Sequence, residues 1–290
     1  MESNKEFDII VYGATGFTGR LVAEYLHQQY GVNGEVKWAM AGRSMDKLVS
    51  VRDELGVGAD IPLVVADADD IETVKKMVAS TSVVLTTVGP YQLYGNELVE
   101  ACAVQGTDYV DLCGEPAWMH KMITAHSAVA EKSGARIVFS CGFDSIPFDL
   151  GVFFLQKHAV STLGSTVARV KGRVRAMKGT MSGGTLASFK ETMAAAGRDR
   201  SLIGILRNPF ALTSGFEGAE QPLGNKPEYD EALQSWIAPF VMASINTKNV
   251  HRSNLLLGHH NGEDFVYDEM MVIGPGDKGE AIAKEVTEDT

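Results

Sequence analysis

Gly13-Ala14-Thr15-Gly16-Phe17-Thr18-Gly19 stands between an apolar run, Phe7 to Tyr12, and a segment, Arg20 to Tyr30, whose apolar residues recur at helical spacing. The run reads as a buried strand. In the segment, Leu21, Val22, Tyr25 and Leu26 are expected to share the buried helical face. Strand, glycine turn and helix, in that order, form the context of a dinucleotide-phosphate site. Gly13 is expected to turn the chain sharply. Gly16 would let the backbone approach a pyrophosphate, and Gly19 would let helix and strand pack closely. The N–H groups of the helix start, with the helix dipole behind them, then face the phosphate charge. The spacing is GxxGxxG rather than GxGxxG. A tight turn without a ligand would not need glycines at that repeat.

Working outward, strand-like runs recur at Val36–Ala41, Ile61–Ala66, Ser82–Val88, Tyr109–Leu112 and Arg136–Ser140. Helix-like stretches lie between most of them. Asn96 is read as the N-cap of a helix through Gln105, and Pro116 as the start of another that Gly134 closes. Alternation of this kind predicts an α/β domain with a Rossmann-type, doubly wound parallel sheet over residues 1–150. Its ligand lies at the carboxyl ends of the strands. Residues 151–290 read as a second, α+β domain for substrate or dimerisation. There Thr166–Ala176 alternates as a strand with Arg169, Lys171, Arg173 and Arg175 on one face. A helix is expected near Thr185–Ala196, a loop over Asn208–Pro227, a helix over Tyr229–Ile245, a strand over Asp264–Ile273 and a polar, frayed end from Gly276.

Composition excludes several classes. A net charge of −11 argues against nucleic acid. No apolar run approaches a membrane span. Met1 to Glu6 lack the basic-then-apolar pattern of a signal peptide. Cys102, Cys113 and Cys141 are too scattered for a disulfide framework or a zinc site, so a reducing, cytoplasmic compartment is the simplest expectation. His259-His260 has no evident third ligand, and no metal is expected.

The second strand ends in Ala41-Gly42-Arg43-Ser44, without the carboxylate that would bond a ribose 2′-hydroxyl. Arg43 and Ser44 stand where a 2′-phosphate would sit, and a guanidinium grips phosphate with charge-assisted bonds. The expected cofactor is therefore NADP(H). Asp67, ending the third strand, reads equally as a partner of the adenine amino group or as a helix cap. Val88-Gly89-Pro90-Tyr91 follows the fourth strand. Its Gly-Pro step would run beside a nicotinamide ring, with Tyr91 stacking, donating a proton or only plugging the turn.

These pieces together resemble the saccharopine dehydrogenase-like oxidoreductases, the group that includes trans-acting enoyl reductases. The resemblance rests on Tyr12 to Gly19, Ala41 to Ser44, Val88 to Tyr91 with Gly95, and Gly106 to Asp111 with Gly114-Glu115. It continues through Cys141-Gly142-Phe143-Asp144-Ser145-Ile146-Pro147 and Met181-Ser182-Gly183-Gly184-Thr185. It implies a nicotinamide cofactor and a second domain that closes over a small-molecule substrate. Similar chains run well beyond this length, so a shortened C-terminus is expected.

Candidates for chemistry are fewer. No tyrosine is followed by lysine at the Tyr-x-x-x-Lys spacing of the short-chain reductases. Asp144 would orient a substrate or transfer a proton, or else Asp144 or Ser145 caps the helix after it. Ser182-Gly183-Gly184-Thr185 reads equally as an anion or carbonyl cradle and as an N-cap with a hinge. The basic face from Arg169 to Arg175 is read mainly as a solvated strand or a homodimer interface, with steering of an anionic substrate as the sharper alternative. The expected activity is reduction of a C=C (enoyl) or C=N bond in a lipid-like or amino-acid-like substrate, the enoyl side resting on the resemblance. The competing class is a non-catalytic NADP(H)-sensing protein.

Overall fold

The computed structural model describes residues 5–32, 34–178 and 183–288. The chain divides into two compact units, Met1–Gly142 with Gly183–Ala194, and Phe143–Ser182 with Ala195–Thr290.

The first unit opens with strand β1 (Phe7–Tyr12), helix α1 (Phe17–Tyr30), β2 (Trp38–Gly42), α2 (Met45–Leu55), β3 (Leu63–Val65) and α3 (Ile71–Ser80). It continues with β4 (Thr81–Thr86), α4 (Tyr91–Tyr94), α5 (Asn96–Gln105), β5 (Asp108–Val110), α6 (Pro116–Ser133) and β6 (Ile137–Val138). Its strands form one parallel sheet in the order β3-β2-β1-β4-β5-β6. The order reverses between β1 and β4, the switch point at which such sheets bind ligands. Ile10, Val11, Ala39, Met40 and Val84 are fully buried along the central strands. Val11, Ala14, Ala23, Leu26, Trp38, Met40 and Leu48 join one core beneath the first crossover.

Local chemistry sets the helix ends. Ser44 Oγ accepts the Lys47 N–H at 3.4 Å, and Gly56 closes α2 in the left-handed region. Pro116 stands in the first turn of α6 and Gly134 ends it, as expected. Three expectations change. On α1 the buried residues are Gly19, Ala23 and Leu26, whereas Leu21 and Tyr25 are 51% and 58% exposed. By helical spacing Leu21 and Tyr25 lie round the helix from Gly19, Ala23 and Leu26, the residues that α1 buries. Asn96 is not a cap: Gly95 precedes α5, and Asn96 Oδ1 accepts from Trp118 Nε1 at 2.9 Å. The cap of α3 is Asp70, which accepts the Glu72 N–H, and not Asp67.

The second unit begins with α7 (Ile146–Leu163) and β7 (Arg169–Val174). Helix α8 (Gly183–Arg198) carries the chain from residues of the first unit into those of the second. Then follow α9 (Ser201–Arg207), β8 (Glu228–Asp230), β9 (Ser235–Pro239), α10 (Ala243–Leu256), β10 (Val266–Gly274) and α11 (Gly276–Glu288). The sheet order is β7-β10-β9-β8, with β7 parallel to β10 and the other pairs antiparallel. The helix expected over Tyr229–Ile245 is instead the β8–β9 hairpin followed by the start of α10. Tyr229 and Trp236 pair across its strands with ring centroids 5.8 Å apart. The expected polar tail is helix α11, with Gly279 and Ala283 buried.

The basic face of β7 is paired within its own sheet at Arg169, Lys171 and Arg173, although Lys171 and Arg175 are also exposed to solvent. Asp268 takes both Arg169 and Arg173, and Asp230 takes Arg173 at 3.2 Å and Lys171 at 3.4 Å. Both carboxylates are buried, so the charges of Arg169, Lys171 and Arg173 are met inside their own sheet. Among the described residues, no helix is long and apolar enough to cross a membrane.

Candidate functional site

The site lies at the carboxyl ends of β1, β2 and β4 in the first unit. β1 ends in Gly13, whose φ of +92° lies in the region that favours glycine. A β-carbon there would stand 2.7 Å from Thr87 Oγ1 and 2.8 Å from Val88 Cγ2. On Gly19 it would stand 2.1 Å from the Gly13 carbonyl oxygen, so α1 seats on the turn only through glycine. At Gly16 it would meet just the Gly13 oxygen, at 3.3 Å. Gly16 is the N-cap of α1, and no side chain caps that helix. The first N–H groups of the helix are thus left for a ligand, beside a backbone with no side chain in the way. Arg20 Nε reaches the Thr15 carbonyl at 3.4 Å and steadies the loop of Ala14, Thr15, Phe17 and Thr18 around it.

One strand over, Arg43 is exposed at the end of β2, and Ser44 caps α2 beside it. Tyr12 connects this end of the sheet. Its buried phenol is pushed up to about 12 by burial first and then by the charge of Asp67, with Arg43 acting in the opposite sense. Arg43, Asp67 and the Tyr12 hydroxyl therefore share one neighbourhood. Asp67 Oδ1 accepts the Asp69 N–H at 3.2 Å, which shapes the loop after β3.

Val88, Gly89, Pro90 and Tyr91 follow β4, with the Gly89–Pro90 peptide cis. Tyr91 is a plug, not a group aimed into an open cleft. It is 4% exposed, its ring centroid lies 5.6 Å from that of Trp118, and its hydroxyl donates to Thr86 O and accepts from Leu112 N. Burial pushes the phenol far above its ordinary range. Of the sequence readings of Tyr91, its packing here matches the plug. One residue without an assigned role holds this loop, and a second stands behind it. Glu115 accepts the N–H groups of Tyr91 at 2.8 Å and Gln92 at 2.9 Å. Asp111 accepts from Tyr109 Oη, Cys113 N and Ser140 N. Both acids follow β5 within a short, loop-like sequence, and only the Gly-Glu-Pro run hints at a buried carboxylate before a helix.

The other candidates fall as follows. Met181 and Ser182 lie outside the described residues, while Gly183, Gly184 and Thr185 open α8, exposed. One turn on, Ser188 Oγ lies 3.7 Å from the β-carbon position of Gly89, and Thr192 Oγ1 accepts from Gln92 Nε2 at 3.3 Å. The start of α8 thus belongs with the Gly89–Gln92 loop. Asp144 belongs to the second unit. It is half-buried, burial raises its carboxyl, and neither it nor Ser145 makes a side-chain cap on α7. Its main-chain oxygen accepts from Asn246 Nδ2. Among the described residues Cys102, Cys113 and Cys141 form no disulfide, and His259 lies in a turn against Phe216.

A parallel sheet with its switch point at β1 and β4, and an uncapped glycine-opened helix there, defines a Rossmann-type dinucleotide-binding domain. Comparison with known proteins gives the family. Residues 9–138 match the saccharopine dehydrogenase NADP binding domain. A Mycobacterium tuberculosis relative is 42% identical over 280 residues, 93% of this chain and 66% of that protein. The trans-acting enoyl reductase of Mycobacterium leprae is 40% identical over 281 residues, 93% and 66% of the two chains. That of Mycobacterium bovis is 39% identical over 296 residues, 98% and 70% of the two chains. The chain belongs to the saccharopine dehydrogenase-like oxidoreductases that include the trans-acting enoyl reductases. It spans about two thirds of the length of these curated relatives.

Proposed function

We propose that this chain binds NADP(H) and serves an oxidoreductase that reduces an enoyl C=C bond of a small, lipid-like substrate. The observation that carries the coenzyme reading is the first crossover: an uncapped helix start, room at Gly16, and the exposed Arg43 guanidinium at the end of the adjoining strand. These residues fit a phosphorylated dinucleotide. Gly13 to Gly19 would hold the pyrophosphate on main-chain N–H groups. Arg43, with Ser44, would hold the 2′-phosphate by charge-assisted bonds. Asp67 would stand at the adenine end, and Val88 to Tyr91 would flank the nicotinamide. When bound, the coenzyme supplies hydride chemistry.

The enoyl substrate is favoured over an imine by the names of the relatives, and an amino-acid-like C=N substrate is the runner-up. Thr185, exposed at the start of α8, is the remaining first-unit candidate for touching substrate; Asp144 is the second-unit candidate. Burial already favours a protonated Asp144. Dimerisation through the second unit is part of the same reading.

The test is a fluorescence titration with NADPH and NADH, followed by NADPH oxidation against enoyl, imine and keto compounds. Tight NADPH binding and turnover confined to enoyl compounds is the expected result. Turnover of imines alone would move the substrate to the runner-up class. Binding without turnover on any compound would favour the sensing protein, a reading to which the buried, fully bonded Tyr91 lends support.

A further inference from the structure

A carboxylate that reaches two consecutive main-chain N–H groups from a distant strand end is an unusual brace. Glu115 is 1% exposed and does this for Tyr91 and Gln92, residues 24 and 23 positions earlier in the chain. The loop's other main-chain bonds are short-range: Val88 N to Thr86 Oγ1, and the N–H groups of Leu93 and Tyr94 to Pro90 O. Its other long-range bonds run through side chains, from the Leu112 N–H to the Tyr91 hydroxyl and from Gln92 Nε2 to Thr192 Oγ1.

Glu115 is itself held from behind. Its N–H donates to Cys113 Sγ at 3.3 Å. The Cys113 N–H donates to Asp111 Oδ1 at 2.9 Å, and Ser140 Oγ donates to the Cys113 carbonyl at 2.6 Å. Pro116 follows at once in the first turn of α6, which fixes the backbone direction leaving Glu115. A carboxylate accepting charge-assisted bonds in a dry site fixes geometry more firmly than a neutral acceptor does. What it fixes is the main chain at Tyr91 and Gln92, directly after Gly89-Pro90.

We propose that Glu115 is a positioning residue for the nicotinamide half of the coenzyme: it holds the loop after β4 in its binding shape before the coenzyme arrives. The proposal rests on the NADP(H) reading above. Preorganisation of this kind appears as affinity, because the loop's ordering is not charged to the binding step. It also confines the effect of losing Glu115 to one end of the ligand. The 2′-phosphate and adenine end is built from β1, β2 and α1, which do not include Glu115.

The experiment compares two probes on wild type and Glu115→Gln: NADPH, and adenosine 2′,5′-bisphosphate, which has no nicotinamide. Gln keeps the side-chain length but turns one acceptor into a donor facing an N–H. Expected is a rise of about tenfold in the NADPH Kd, about 1.4 kcal/mol, with the bisphosphate Kd unchanged. Unchanged affinity for both probes overturns the proposal. Equal loss for both also overturns it, because Glu115 would then serve the whole fold. Failure of wild type to bind either probe overturns the coenzyme reading itself, and is recognised because no substitution is involved. If circular dichroism shows that Glu115→Gln does not fold, hydrogen exchange on wild type decides. Tyr91 and Gln92 amides already protected without NADPH support the proposal, and fast exchange that only NADPH suppresses overturns it.

Discussion

Gly19 lies against Gly13 so closely that a β-carbon on Gly19 would stand 2.1 Å from the Gly13 carbonyl oxygen. The first crossover is therefore a backbone-on-backbone contact, made where a helix start and a strand end must meet. Gly16, three residues earlier, touches little beyond the Gly13 oxygen. Gly19 is needed for packing, Gly16 is proposed to make room for the coenzyme, and that difference can be measured.

Gly19→Ala forces main chain apart and is expected to destabilise the first unit by about 1–3 kcal/mol. Gly16→Ala is expected to stay within about 1 kcal/mol of wild type and yet to weaken NADPH strongly. Urea unfolding and a coenzyme titration on both variants check this. A Gly16→Ala protein that binds NADPH normally would remove Gly16 from the site.

Arg43→Ala should weaken NADPH by about 1.5–3 kcal/mol through loss of charged bonds to the 2′-phosphate. NADH, which lacks that phosphate, should change little. Calorimetry with both coenzymes gives the comparison, and equal losses would refute the assignment.

Asp111 makes the first unit sensitive to alkali. Burial pushes its carboxyl up to about 7, against the opposing hydrogen bonds from Cys113, Tyr109 and Ser140. The folded value lies above the unfolded one, roughly 3.9. Folding then binds a proton between those values. The associated stability is fully present below about pH 4 and is lost as pH rises through about 7. Its slope is about 1.4 kcal/mol per pH unit near pH 5–6. Asp111→Asn keeps the acceptor for Cys113 and Ser140, and the Tyr109 hydroxyl can reverse to accept. Thermal unfolding from pH 5 to 8 should show a flatter profile in the variant. An unchanged slope would mean that Asp111 does not titrate there. Glu269, pushed up to about 7 by burial, adds a slope of the same sign from the second unit and is untouched by this variant.

Asp230 carries the opposite sign. Burial alone would raise its carboxyl, but hydrogen bonds from Arg173 and the Leu233 N–H, with the charge of Lys171, outweigh it and hold the value below the ordinary one. Its stabilisation is present above about pH 4 and lost as pH falls through the lowered folded value. Asp230→Asn leaves the Arg173 side chain, only 12% exposed, short of a partner charge. Because Asp268 still pairs with Arg173, the expected loss is about 1–3 kcal/mol, read by urea unfolding at pH 7. A neutral result would show that Asp268 alone suffices for Arg173.

Much of the first unit was legible because its signals are local. Phe7–Tyr12 is a strand with the expected bounds, the glycine motif sits where the period changes, and Pro116 and Gly134 bracket α6. What failed there depended on neighbours. Leu21 and Tyr25 have the hydrophobicity of a core face, but the side of α1 that packs is set by Gly19, Ala23 and Leu26, and they lie off it. In the second unit Tyr229–Ile245 carries apolar residues at both periods, and pairing of Tyr229 with Trp236 decides for a hairpin. The β7 arginines looked like a wet face because the acids that neutralise them, Asp230 and Asp268, come from β8 and β10.

By itself the chain's order of residues determined the glycine-rich crossover and the parallel alternation, since each is written within one strand, turn and helix. The plugging of Tyr91, the brace of Glu115 and the pairing of the basic stripe were decided only in three dimensions. Each needs a partner from a different strand or strand end, and contacts over such separations leave no periodic trace in sequence.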